Sequence, residues 1–213
     1  MDELELLKRD WQKQDDRYPK LTYNEIYKMI LKKSSSIVKW IFIISLLEFA
    51  FWTFISFAFK DSESILKFKE YNAENILIPL SIIGYVILAY FFYLFYKNYR
   101  SISATDSAKK LMEKILKTRR TVKQYVAFNL IYLFISTFVA LGILFKRDDD
   151  FASIIDEASA NGELFLLYAK TILATLIALG LAIGLILIFY YLIYGILLKR
   201  LNRNYKELKK LEA

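Results

Sequence analysis

Four apolar segments, each long enough to cross a bilayer, limit most strongly how this chain can fold. They cover residues 37–59, 76–96, 125–145 and 164–198. The hydrocarbon core of a bilayer is about 30 Å thick, a distance that an α-helix of about 20 apolar residues spans. Irregular backbone facing lipid would leave its polar groups unsatisfied, so each segment is expected to be helical. The sequence therefore predicts an all-α integral membrane protein, a four-helix bundle with amphipathic helices on its cytoplasmic side.

The composition is typical of a membrane protein and excludes several kinds of catalytic and metal-binding site. Hydrophobic residues make up 56% of the chain, whereas soluble domains have about 45–50%. The chain has no Cys and no His, which excludes disulfides, thiolate nucleophiles, imidazole bases and His-based metal sites. It also has no phosphate-binding glycine loop and no nucleophile elbow. We therefore expect a protein that is not an enzyme and that needs no cofactor.

Basic residues divide the connecting segments into two sets. Residues 1–39, 97–123 and 199–213 hold 24 of the 30 Lys and Arg residues, whereas 60–75 and 146–163 together hold five. The positive-inside rule places the basic set in the cytoplasm. The sequence thus predicts a multi-pass protein of a bacterial inner membrane with both termini cytoplasmic.

These spans and charges give a simple domain organisation. A cytoplasmic helical tail, 1–36, is expected to precede a transmembrane domain, 37–198, and a basic cytoplasmic tail, 199–213, to follow it. The loop 97–124 between the second and third spans is expected to be cytoplasmic and helical. The tail is polar and charged where a signal peptide would be apolar, so the first span is expected to be a retained anchor.

The N-terminal tail carries the pattern of two short helices. Leu4, Leu7 and Trp11 recur at helical spacing and form an apolar stripe, which we interpret as a binding surface for a cytoplasmic protein. Thr22 and Glu25 have the spacing of a capping box, in which each side chain satisfies a backbone amide of the other. A second helix is therefore expected to begin near residue 23.

The loop between the second and third spans carries a basic amphipathic pattern. Its basic residues could lie on anionic headgroups, each contributing about 1 kcal/mol. Alternatively, the segment could be a cytoplasmic extension of the second and third spans that packs against its neighbour. Nucleic acid is not expected as a partner, because the positive charge follows the membrane boundaries. The membrane-surface residues are Lys109, Lys110, Lys114 and Lys117.

Glu48 lies near the middle of the first span, where a charged group costs several kcal/mol unless it is paired, neutralised or hydrated. It is a candidate proton or ion site or a polar contact that holds helices together, or alternatively a protonated carboxyl that hydrogen-bonds Ser45, Thr53 or a neighbouring span. Lys170 is the other charged residue within a span, but it is expected near the outer interface. A bridge between the two would require a displaced fourth helix. Asn129 is expected to hydrogen-bond across helices.

The fourth span carries a stripe of small residues. Such residues let helix backbones approach closely, and we expect the stripe to pack within the chain, with a second copy of the protein as the alternative partner. The stripe consists of Ala174, Ala178, Gly180, Ala182 and Gly184.

Three segments carry a resemblance to a known group of proteins. Residues 2–11, 25–30 and 32–40, the last with the sequence Lys-Lys-Ser-Ser-Ser-Ile-Val-Lys-Trp, resemble an uncharacterised family of four-span membrane proteins from Bacteroidota. Some relatives are labelled beta-carotene monooxygenase, yet true carotenoid cleavage enzymes hold iron with four His on a β-propeller, and this chain has no His. The family's genes often lie beside extracytoplasmic-type sigma factors, so the resemblance implies an anti-sigma-like role.

Two functions of different classes are therefore open. In the first, the protein is a membrane-anchored regulator or adaptor whose N-terminal tail binds a cytoplasmic partner such as a sigma factor. In the second, it is a small transporter or channel that uses Glu48 within a four-helix bundle, as a single chain or a homo-oligomer.

Overall fold

A computed structural model describes residues 21–60, 62, 71, 73–103 and 106–212, without the side chain of Asp150. These residues form helices and short connections, and no strand occurs among them. The fold is therefore all-α, as the four apolar segments predict.

Six helices and one π-helical turn make up the described chain. They are α1 (Tyr23–Ala58), α2 (Glu74–Ser101), α3 (Ala108–Arg147), α4 (Asp149–Ala160), α5 (Leu164–Tyr190), a π-turn (Tyr191–Gly195) and α6 (Ile196–Leu211). Four stretches are long and apolar enough to cross a membrane: α1, α2, α3 and the continuous rod from α5 to α6. The protein is accordingly a multi-pass membrane protein.

Local sequence sets where these helices begin. At the start of α1, the Glu25 carboxylate accepts the Thr22 amide at 2.8 Å, and the Thr22 hydroxyl accepts the Glu25 amide at 3.4 Å. This is the capping box expected from the sequence. Asp148 caps α4 by accepting the amide of Phe151 at 3.0 Å. The acidic segment 146–163 is thus largely a helix, with Asp148 satisfying a backbone donor at its start.

The helical segments on the basic side of the first and third spans are continuous with those spans. The helix α1 runs unbroken through residue 36 into the first span, and α3 runs unbroken through residue 124 into the third. Between α2 and α3 the described residues 102, 103, 106 and 107 are non-helical. The ends of the spans near Lys39, Lys97, Lys123 and Lys199 are called the basic end below.

At the basic end, α1, α3 and α6 enclose an apolar core. The buried residues of this core come from these three helices. Two buried asparagine side chains form hydrogen bonds between helices at this end. Asn204 of α6 donates to the Ser34 hydroxyl of α1 at 3.0 Å, and Asn98 of α2 donates to the Thr121 hydroxyl of α3 at 3.1 Å. The core consists of Ile30, Val38, Ala108, Leu111, Ile115, Leu201 and Leu208.

The outer surface of the spans is apolar. Large side chains such as Phe54, Phe165 and Leu181 point away from the bundle, and Phe165 is 86% exposed. Contiguous apolar surface of this extent is rare on soluble monomers and is the surface that lipid covers in a membrane protein.

The expected packing of the small-residue stripe within the chain is not seen among the described residues. A Cβ added to Gly180 or Gly184 would meet nothing within 4 Å. The three alanines of the stripe, 174, 178 and 182, are exposed. The orientation of α5 about its own axis explains this. Leu179 and Tyr190 point into the bundle, and the small-residue stripe lies on a different face of the helix.

Candidate functional site

Glu48 lies on the inward face of α1. It follows Ile41 and Ser45 along one buried stripe of the helix and is itself 7% exposed. Nine residues separate it from Lys39, a distance of about 13 Å along a helix. A carboxyl group therefore sits deep within the bundle, near the middle of the first span.

Two tyrosines of the fourth span bind this carboxyl group. The Tyr190 hydroxyl donates to Oε1 of Glu48 at 2.6 Å, and the Tyr194 hydroxyl donates to Oε2 at 2.9 Å. The Tyr190 oxygen in turn accepts the side-chain amide of Asn129 at 2.9 Å. The structure thus joins two of the residues singled out from the sequence, Glu48 and Asn129, through a tyrosine between them.

A third tyrosine closes the site toward the basic end. The Tyr125 hydroxyl faces the Glu48 carboxyl, and its ring lies 6.3 Å from that of Tyr190 and 6.1 Å from that of Tyr194. The edges of Phe91 and Phe95 approach the Tyr125 ring at centroid distances of 5.6 and 5.4 Å. These side chains belong to one buried aromatic layer, so the carboxyl is separated from the basic end.

A π-turn lies directly at this contact. It covers Tyr191–Gly195 and therefore contains Tyr194, one of the two donors to Glu48. Such turns are rare and occur often at functional sites. The rings of Tyr190, just before the turn, and Tyr194, within it, are 5.8 Å apart.

Sequence reasoning missed the three tyrosines. Tyrosine residues at the ends of spans are typical of the membrane interface, and that pattern hides a buried role. One signal in the sequence could have identified two of them. Tyr190 and Tyr194 are four residues apart and therefore lie on the same side of an apolar helix, and the first span of the same bundle contains a single carboxyl group that needs polar partners.

Lys170 is not the partner of Glu48. It is exposed on α5, twenty residues before Tyr190, which corresponds to about 30 Å of helix. The register of α1 against the fourth span, fixed by the Ser34–Asn204 and Glu48–Tyr190 pairs, leaves Lys170 far from the carboxyl. Within the part of the chain that the structure describes, no Lys or Arg forms an ion pair with Glu48.

A cavity of about 620 Å³ opens beside Glu48 between all four spans. Its polar lining includes hydroxyl, amide and carboxyl groups from α1, α3 and α5, namely Glu48, Thr53, Ser56, Tyr125, Asn129, Tyr132, Ser136 and Tyr190. Its aromatic lining includes Phe49, Phe51, Trp52, Tyr85 and Phe189. A volume of this size lies within the range of small-molecule sites, about 300–1,000 Å³.

The cavity reaches the apolar surface of the bundle. Trp52 of α1 and Leu185 of α5 both line it, and they are 49% and 72% exposed. A molecule dissolved in the apolar phase around the spans can therefore approach Glu48 from the side, while the aromatic layer closes the basic end.

The basic residues of α3 have several environments. Lys114 donates to the Ser101 carbonyl and binds Asp106 at 2.6 Å, so it stabilises the turn between α2 and α3. Lys109 and Lys110 are exposed, and Lys117 lines a broad surface groove together with Arg120 and other residues of α3. On the apolar face of this helix, Ala108, Leu111 and Ile115 are buried in the core of the basic end, whereas Leu116 is exposed.

The surface predicted to bind a cytoplasmic protein lies outside the described residues. Leu4, Leu7 and Trp11 belong to residues 1–20, so the adaptor role stays a prediction. The described end of the tail, which includes Ile26 and Ile30, packs against the core of the basic end.

Comparison with known proteins gives one match. The family described as a domain of unknown function (DUF8845) matches residues 24–213, which include all four spans and the Glu48 site. No curated protein and no solved structure matches the chain.

Proposed function

The chain belongs to this family, whose function is unknown, and we propose that it is a small membrane transporter in which Glu48 binds the coupling proton. The observation that carries the proposal is a carboxyl group deep in the bundle, without a cationic partner among the described residues, at the wall of a cavity. The expectation of a non-enzymatic protein without a cofactor is kept in this proposal.

The energetics of a buried carboxylate favour this role. A charge in the middle of a bilayer costs several kcal/mol unless it is neutralised or hydrated. Tyr190 and Tyr194 donate hydrogen bonds to Glu48 but bring no positive charge. Either a proton or a positively charged solute must therefore balance Glu48, and exchange between these two states is the step that couples proton movement to solute movement.

The cavity distinguishes this role from a purely structural one. A carboxyl that only ties two helices together needs no accessible space beside it. Here the carboxyl borders about 620 Å³. The aromatic layer of Tyr125, Phe91 and Phe95 on the other side corresponds to a carrier closed toward one end.

The orientation is part of the proposal. The basic end includes the described start of α1, the short turn between α2 and α3 and the end of α6, and the sequence segments 1–39, 97–123 and 199–213 hold 24 of the 30 basic residues. The positive-inside rule supports a cytoplasmic basic end in a bacterial inner membrane.

The test needs no known substrate. Purified protein is reconstituted in liposomes that contain a fluorescent pH indicator, and a protein-free extract of bacterial small molecules is added outside. We expect a change of internal pH that depends on the protein and is lost in Glu48→Gln. The matched control is Lys170→Gln, which removes an exposed charge on another span and should leave the signal unchanged. A signal that equals empty liposomes, or that survives in Glu48→Gln, would overturn the proposal.

A further inference from the structure

We infer that the cavity beside Glu48 binds apolar organic cations, with the positive centre next to the carboxylate in the place that a proton otherwise takes. The inference rests on the proposed function for the role of Glu48 and adds the class of substrate.

The charge of the site selects a cation. Among the described residues that line the cavity, Glu48 is the one charged side chain, and none of them is Lys or Arg. Both described hydrogen bonds to its carboxyl oxygens come from neutral hydroxyl groups. A cationic ligand would balance the carboxylate, whereas an anion would be repelled in a medium of low dielectric constant.

The aromatic wall strengthens that selection. Trp52, Phe49 and Tyr85 line the cavity next to Glu48, and the ring of Phe49 lies 6.1 Å from that of Tyr85 in an edge-to-face arrangement. The face of an aromatic ring attracts a cation by about 0.5–2 kcal/mol, most strongly when water is excluded. An ammonium or phosphonium group is therefore favoured over a neutral group of the same shape.

The route of entry selects an apolar ligand. The half-exposed rim at Trp52 and the exposed Leu185 face the apolar surroundings of the bundle. A small hydrated cation would have to lose its water to enter from that side, at a cost of many kcal/mol. A cation that carries large apolar groups partitions into this phase, and about 620 Å³ leaves space for several rings.

The organic cation and a proton are expected to compete, because both bind the same carboxyl group, that of Glu48. Within the described part of the chain, the other titratable side chains that face Glu48 or line the cavity are tyrosines, namely Tyr85 of α2, Tyr125 and Tyr132 of α3, Tyr190 of α5 and Tyr194 of the π-turn. A tyrosine side chain is ordinarily a neutral phenol near neutral pH. Binding of the cation therefore requires loss of one proton from Glu48.

The experiment measures binding without transport. The full chain in detergent micelles is titrated with tetraphenylphosphonium by calorimetry at several pH values, with tetraphenylborate as the anion of matched shape. We expect saturable binding of the cation that weakens as the pH falls, release of about one proton per cation, and no saturable binding of the borate. Glu48→Gln should weaken binding by about 30-fold or more.

A second variant keeps the inference testable if Glu48→Gln fails to fold. Trp52→Ala removes a half-exposed rim side chain and should weaken cation binding by about threefold to 30-fold through the loss of one ring. Trp40→Ala is its control, because Trp40 is equally exposed but lies outside the cavity. Equal binding of the cation by the wild-type protein and both cavity variants, or equal binding of the borate, would overturn the inference.

The two proposals can fail separately. Binding of tetraphenylphosphonium without any protein-dependent pH change in liposomes would support the cation site and overturn transport. A protein-dependent pH change with a bacterial extract, but no binding of tetraphenylphosphonium, would support transport and overturn the cation as substrate class.

Discussion

Tyr190 and Glu48 are 142 residues apart in the sequence, and the Tyr190 hydroxyl lies 2.6 Å from the Glu48 carboxyl. This hydrogen bond joins the first and fourth spans within the transmembrane bundle. It also defines one wall of the cavity. The bond links two spans that are distant in sequence and also holds the carboxyl group on which the proposed function depends. A change to this bond should therefore affect both the stability of the bundle and its function.

Replacing Tyr190 by Phe should weaken the bundle by about 0.6–2 kcal/mol, the range of hydrogen bonds between membrane helices. The change removes the donor to Glu48 and the acceptor of Asn129. The neighbouring Tyr191→Phe is a matched control, because Tyr191 is 71% exposed and should have almost no effect. Thermal unfolding of both variants in the same detergent measures the difference. Equal melting temperatures for the two variants would contradict the prediction.

The two glycines Gly84 and Gly142 should respond in opposite ways to alanine. A Cβ on Gly84 would lie 2.8 Å from the Tyr132 ring, so the ring must turn away. The Tyr132 hydroxyl then loses its hydrogen bond to the Leu80 carbonyl. We expect a loss of about 1–3 kcal/mol and a changed cavity, since Tyr132 lines it. Around Gly142 there is free space, so alanine should stabilise α3 by about 0.5–1 kcal/mol. Unfolding curves of the two variants give both values, and a shift in the same direction would contradict this packing.

Asn204→Ala should destabilise the basic end. The Asn204 side chain is 2% exposed and donates to the buried Ser34 hydroxyl, so its removal leaves a buried polar group without this partner. The expected cost is about 1–3 kcal/mol. Arg203→Ala, which changes an exposed residue beside it, is the control. Hydrogen exchange of amides in α1 and α6 should increase in the first variant and stay constant in the second.

Asp106 should give the turn between α2 and α3 a dependence on acid. Partial burial raises the pKa of Asp106, but hydrogen bonds from Lys114 and the Ser103 amide outweigh it, so the pKa lies below the usual 3.8. A lowered pKa means that the stabilisation is present above the usual pKa and is lost as the pH falls through the lowered one. Unfolding between pH 6 and pH 2.5 should show this loss in the wild-type protein and a smaller one in Asp106→Asn. Asp156→Asn, an exposed residue of α4, should behave like the wild type.

The absence of Cys from the sequence makes the orientation simple to test. Single cysteines are introduced as Lys110→Cys at the basic end and Ser159→Cys in α4, both at exposed positions. In intact spheroplasts, a maleimide that does not cross membranes should label the second and not the first. The opposite result would place the basic end outside.

Local patterns were sufficient for the spans, the capping box at Thr22 and the position of Glu48 inside the first span. They could not identify Tyr190 and Tyr194 as the partners of Glu48, because the register between antiparallel helices depends on pairs that are distant in sequence. The Ser34–Asn204 pair is one of these. The small-residue stripe failed as a guide for a similar reason, since a helix that is apolar on all sides does not show in its sequence which face turns inward.

The unbroken course of α1 has a mechanical consequence. Ser34, held by α6, and Glu48, held by Tyr190, lie fourteen residues apart on one helix, about 21 Å along a stiff rod. A tilt of this rod that separates Glu48 from its tyrosine also strains the contact at Ser34. A ligand that displaces one end of α1 therefore changes the contacts at the other end. The packing of the helices at the basic end thus determines where the Glu48 carboxyl lies within the bundle.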